Sequence, residues 1–205
     1  MKTASYYRSE ARAMLGENIF GEKWLYALLV YLIVSVVNGV ASSIGPLTIL
    51  ITGSISLGVA AVYLKISRER TRADLESLLW SFKENRFLST MLLGIMTTLF
   101  IALWALLFVI PGIVKSYSYS MAPYIKHDNP DYDWNKCITE SRKLMDGKKS
   151  DLFLLDLSFI GWILLSLCTF GIGFLWVQPY MTAARVAFYE DIKAPAIKVE
   201  EPAAE

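Results

Sequence analysis

The sequence predicts an all-α fold: a polytopic helical membrane protein of about six transmembrane helices, arranged as three pseudo-repeated hairpins, each preceded by a cytoplasmic amphipathic helix. Three observations carry this. The chain has 205 residues, of which 55% are hydrophobic and only 19% charged, too apolar for an ordinary soluble domain. Its three long apolar blocks are each broken near the middle, at Gly45-Pro46, Pro111-Gly112 and Gly171-Ile172-Gly173, roughly 60 to 66 residues apart, a spacing that reads as an internal repeat. Of the 20 Lys and Arg, all but Lys115 and Arg185 lie between the hairpins or in the tails, whereas the hairpin tips carry no charge. Because orientation follows Lys and Arg rather than net charge, both termini and both long connectors are placed in the cytoplasm.

In chain order, residues 7, 11, 14 and 15 (Tyr, Ala, Met, Leu) recur at helical spacing ahead of the first block, with Arg8, Glu10 and Arg12 on other faces. Residues 24–43 and 46–64 then supply two uncharged runs of spanning length, about 20 residues each. The leader mixes acids with bases and the first run is long, so it reads as a retained helix rather than a cleaved signal. Leu75, Leu78, Leu79 and Phe82 repeat the amphipathic pattern before the run at 87–110. Pro111 and Gly112 mark a tight turn. The returning segment, 113–126, is short, about 21 Å against a hydrocarbon thickness of about 30 Å. Trp134, Cys137, Ile138, Ser141, Leu144 and Met145 form the third amphipathic face, with Asp131 or Asp133 as its cap and Gly147 as its end. The block at 152–176 follows, and the last span covers about 174–189. The three units run over about 4–67, 68–130 and 131–192 of a single membrane domain, 1–192. Residues 193–205, rich in Ala, Pro, Lys and Glu, read as a disordered cytoplasmic tail. The amphipathic helices either lie in the bilayer interface or cover the cytoplasmic ends of the spans.

The motifs LFVIPGIVKSYSYSMAPY at 107–124, SRKLMDG at 141–147, LSFIGW at 157–162, TFGIG at 169–173 and QPY at 178–180 resemble an uncharacterised bacterial membrane family, domain of unknown function 975. That family is itself distantly similar to the membrane domain of some glycerophosphodiester phosphodiesterases. The resemblance covers nearly the whole chain. It implies a multi-pass protein of the bacterial plasma membrane and brings no catalytic residues with it.

Candidate functional residues are the polar groups at bilayer depth, where ionisable side chains are costly and default to function. Asp156 and Arg185 are each about one turn inside their spans, on the same side, and are placed to form an ion pair or a substrate site. Lys115 follows the outer turn and can snorkel outward. Ser116, Tyr117, Ser120 and Tyr124 give the fourth span a hydroxyl stripe, which either lines a polar groove or bonds back to helix carbonyls during close packing. Ser35, Gly39 and Ser43, with Ser54 and Gly58, read as close packing between the first two spans. Trp24, Trp80, Tyr63, Phe87 and Tyr189 read as interfacial anchors. His127 stands alone, so no metal site is expected, and no nucleotide loop, zinc-protease motif or nucleophile elbow is present. Two cysteines, Cys137 and Cys168, read as free thiols. A net charge of +1 gives no basic field for nucleic acid.

The functional expectation is a non-enzymatic membrane module that binds lipid or a partner protein and needs no cofactor. Its partners are the bilayer itself, anionic lipid or another membrane protein. The alternative is a small transporter or permease with a polar site between the second and third hairpins.

Overall fold

Helices account for all regular structure among the described residues, which in this computed structural model are 2–16, 18, 21–42, 47–70, 75–82 and 86–200. In order they are α1 (Ala4–Leu15), α2 (Glu22–Ser42), α3 (Leu47–Glu69), a 3₁₀ segment (Leu75–Phe82), α4 (Arg86–Leu107), α5 (Val109–Tyr119), α6 (Ala122–Asp128), α7 (Trp134–Leu144), α8 (Lys149–Leu157), α9 (Ile160–Cys168) and α10 (Phe174–Glu200). Among these residues three helical stretches are long and apolar enough to cross a membrane: Glu22–Val40, Phe87–Leu107, and Lys149–Cys168, the last formed by α8 and α9 together. Each is followed by a helix that packs back on it, α3 on α2, α5 on α4, and α10 on α9. α10 runs on past Lys193 to Glu200, into the stretch that composition reads as a disordered tail.

The turns differ in detail from the sequence reading. The second hairpin bends at Phe108, in an extended conformation (φ −155°, ψ 134°), ahead of Pro111. Pro111 falls in the first turn of α5, where a missing N–H costs nothing. Gly112 is where the two arms touch: a Cβ there would meet the Ala105 Cα at 2.7 Å. The third hairpin turns through Phe170 and Gly171, both at positive φ, with Thr169 Oγ1 accepting from Gly173 N–H. The break at Gly45-Pro46 lies outside the described residues.

The amphipathic segments resolve in two ways. Tyr7, Ala11, Met14 and Leu15 of α1 are buried, mostly against α10, and Cys137, Ile138, Ser141 and Met145 are buried around α7. Both helices therefore cover other helices rather than offering an apolar face to lipid. Asp133 caps α7 through Asn135 N–H at 2.7 Å, and Gly147 follows it at φ +67°. The middle segment winds as a 3₁₀ helix instead of an α-helix, and Leu75, Leu79 and Phe82 remain exposed along it.

The small residues of α3 do not face α2. Gly53 packs on Gly94 of α4, where a Cβ would sit 2.6 Å from the Gly94 Cα. Ser54 shares a hydrogen bond with Thr90, and Gly58 lies under the Leu78 carbonyl. Ser35 is exposed, a Cβ added at Gly39 would meet nothing within 4 Å, and Ser43 lies outside the described residues. The stripe thus joins the first hairpin to the second. Likewise Trp24, Tyr63 and Tyr189 are core residues rather than interfacial anchors: all three are buried, and Trp24 Nε1–H donates to the Gly16 carbonyl.

The buried core gathers at one end, where α1, the last turns of α3, α6, α7 and α10 meet. Asp128 closes it. Its carboxylate accepts from Arg68 of α3 (2.9 Å), from the Tyr189 hydroxyl (2.8 Å) and from Lys193 of α10, with His127 beside it at 3.5 Å. Burial opposes the charged form, but the bonds from His127, Lys193, Tyr189 and Arg68 outweigh it and hold the Asp128 pKa far below the ordinary carboxylate range. A depressed carboxylate stabilises the fold above its unfolded pKa of about 4 and loses that contribution as pH falls toward the native value. Asp128→Asn should therefore lower the thermal midpoint in detergent at pH 7, by about 1–3 kcal/mol of stability, and flatten the loss of stability below about pH 4. An unchanged acid limb would refute the assignment. Separately, Gly53→Val should cost about 1–3 kcal/mol by forcing α3 off α4, whereas Gly39→Ala should leave the midpoint unchanged or higher.

Candidate functional site

The polar residues at depth sort into three places. The first is a closed set between the second and third hairpins. Arg185 of α10 donates to both oxygens of Asp156 on α8, Nε at 3.1 Å and Nη2 at 2.8 Å, a bidentate match of guanidinium to carboxylate. The Tyr117 hydroxyl of α5 adds a third donor at 3.1 Å. The Asp156 side chain is 16% exposed, so this carboxylate needs its donors, and it has them. Tyr124 lies within electrostatic reach of the pair but stacks on Tyr189, centroids 5.2 Å apart. Three side chains from three helices thus satisfy one another, in the geometry of the ion pair that is one of the two sequence alternatives.

The second place is a cavity of about 180 Å³ between the first two hairpins, lined by Ser56, Gly94, Thr97, Ser116, Ser120 and Pro123, among others. Ser116 and Ser120 take part in the wall, but each hydroxyl donates to a carbonyl of its own helix, of Ile113 at 2.7 Å and of Tyr117 at 2.8 Å. That is the packing habit of helical serines. The stripe does not form one groove, since Tyr117 and Tyr124 point elsewhere.

Lys115 occupies the third place. Its ammonium sits over the Trp104 ring at 4.7 Å and lines a basin shared with Arg142, Lys143 and Lys149. The reason is α7, which folds back along α5: Ser141 Oγ donates to the Ser118 carbonyl at 2.8 Å, drawing the connector's cations up to the level of Lys115.

Which of the connector's cations meet Lys115 is not legible in the sequence. Arg142 belongs to the SRKLMDG motif, and its spacing of one heptad from Lys149 was visible, but their meeting with Lys115 needed the fold. Lys126 was missed. It is 1% exposed, and its Nζ donates to the carbonyls of Pro130 and Tyr132 at 2.7 and 2.6 Å, pinning the α6–α7 loop. The thiols differ sharply: Cys168 is exposed, whereas Cys137 is buried and burial pushes its pKa up to about 11.

If the Asp156–Arg185 pair is structural, Asp156→Arg and Arg185→Asp should each destabilise by about 1–3 kcal/mol, and the double exchange should recover much of the loss. Thermal unfolding of the four proteins in one detergent measures this, and equal damage in singles and double would discard the pairing.

No curated protein and no solved structure matches the chain. The family described as protein of unknown function (DUF975) matches residues 1–115 and 106–196, which together run through both connectors, all three hairpins and most of α10. The chain belongs to that family.

Proposed function

We propose that the chain is a multi-pass protein of the bacterial plasma membrane, with three hairpins in the bilayer, both termini cytoplasmic, and a non-enzymatic role in binding lipid. One observation carries this: exposed apolar surface and charge are segregated along the molecule. Beyond the core, the outer parts of the hairpins expose Val36 and Val40 (58% and 61%), Leu106 through Ile110 (64–85%), and Leu164, Leu165, Leu167, Phe170 and Ile172 (56–100%). A water-soluble monomer rarely shows apolar patches on that scale. Lys and Arg gather away from these tips, about Asp128 and in the connectors, as a cytoplasmic face requires. The helix lengths agree: α2, α3 and α4, at 21, 23 and 22 residues, each measure about 31–35 Å.

The dispersal of the polar residues supports a binding module over a transporter. Asp156, Arg185 and Tyr117 are engaged with one another, and Ser116 and Ser120 with their own helix. None of them lines the basin that holds Lys115, so the candidate residues do not converge on one wet site.

Topology and binding are tested separately. In intact cells a membrane-impermeant maleimide should modify Cys168, at the third hairpin tip, while Cys137 reacts only after denaturation. Labelling of Cys168 solely from the cytoplasmic side would reject the orientation. Protein released from bilayers should retain anionic phospholipid in native mass spectra, and release without any lipid would reject the binding role.

A further inference from the structure

We propose that the basin between α5, α7 and α8 is a phosphate site, and that the phosphate it takes is the headgroup of an anionic glycerophospholipid; this rests on, and makes specific, the lipid-binding reading above. The basin has a volume of about 410 Å³ and is lined by Lys115, Ser118, Thr139, Arg142, Lys143, Asp146 and Lys149. Its charge is unbalanced. Lys143 is held by Glu140 at 2.7 Å, outside the balance of the other three cations. Among the described residues neither Arg142 nor Lys149 forms an ion pair, and Asp146 is the basin's one carboxylate. Lys115 has only the face of Trp104, and it feels the positive charges of Arg142 and Lys149 directly. Three cations from three helices, pressed toward one another with a single acid among them, constitute an anion site by Coulomb's law. Arg142 brings a planar fork suited to two phosphate oxygens, and the two lysines bring point charges.

What distinguishes a lipid from a free phosphate is the surrounding wall. In α5, Ile113 and Val114 precede Lys115 directly and are 50% and 44% exposed, and the Trp104 ring beneath the Lys115 ammonium is 40% exposed. In α8, the turns that follow Lys149 carry Phe153, Leu154 and Leu157, 47%, 54% and 45% exposed. A ligand seated on the cations therefore has two apolar helix faces leading away from it, toward the exposed hairpin tips. A diacyl glycerophosphate fills both parts; inorganic phosphate fills only one. The tryptophan beneath Lys115 suits the same boundary, since amphipathic rings favour the headgroup level.

The test is a thermal-shift titration of the full-length protein in neutral detergent with short-chain phosphatidylglycerol, sn-glycerol 3-phosphate or inorganic phosphate. Arg142→Gln/Lys149→Gln removes two of the cations without breaking an ion pair, so the fold should persist. Arg12→Gln/Lys136→Gln removes the same charge from exposed positions elsewhere. Phosphatidylglycerol should saturate with wild type and the control, and about thirtyfold more weakly with the basin variant. Wild-type affinity in the basin variant, or an equal loss in the control, would overturn the site while leaving lipid binding intact. Saturation by inorganic phosphate as readily as by phosphatidylglycerol would overturn the lipid assignment. If phosphatidylglycerol binds none of the three proteins, the lipid-binding reading falls along with the site.

Discussion

A buried carboxylate has to be surrounded by donors or it does not remain charged, and Asp128 meets that demand by drawing on every hairpin. It sits at the end of α6, the return arm of the second hairpin. Arg68 arrives from the return arm of the first, and Tyr189 and Lys193 from that of the third. Glu190 then shares Arg68 at 2.9 Å, so the charges alternate across the junction. Satisfying this one group fixes the relative heights of α3, α6 and α10. Once those three ends are tied, α1 and α7 have a platform to cover, and the apolar arms project from it.

The parts of this design legible in sequence are those governed by local physics. A helical period exposes the apolar faces of α1 and α7, and Asp133 caps α7 because its neighbours and backbone are all within a few residues. What covers an apolar face is a different matter. Periodicity reports that Tyr7, Ala11 and Met14 avoid water, yet protein and lipid satisfy them equally, and here α10 does so. The same blindness turned Trp24, Tyr63 and Tyr189 into interfacial anchors when they belong to the core. Small residues on α3 announced close packing, but the sequence reading matched them to α2 rather than α4, because a glycine has no shape that selects one helix over another.

The candidate residues divide along the same line. Asp156 and Arg185 could be paired from the sequence, since two ionisable groups at equal depth have few other options. Lys115 could not be placed, because its surroundings are set by α7, a connector that folds back beside α5 through a serine–carbonyl bond. A chain position near the turn gave it no neighbours; a tertiary contact gave it Arg142 and Lys149. Asp128 and Lys193 escaped notice for a related reason. One looked like loop and the other like tail, and only their meeting gives either a role.

The contact between Gly53 and Gly94 has a mechanical consequence. Backbone lies on backbone there, with no side chain between to rotate or rearrange, so the first and second hairpins behave as one stiff block. The third hairpin is fastened to that block by the bond from Tyr117 to Asp156, by the stacking of Tyr189 on Tyr124, and by the Asp128 junction, beside the apolar packing of α10. Side-chain bonds of this kind can be exchanged one at a time, whereas interlocked glycines must separate together. The molecule therefore has one seam of backbone on backbone, between α3 and α4, and one built of side chains, where α10 meets the rest.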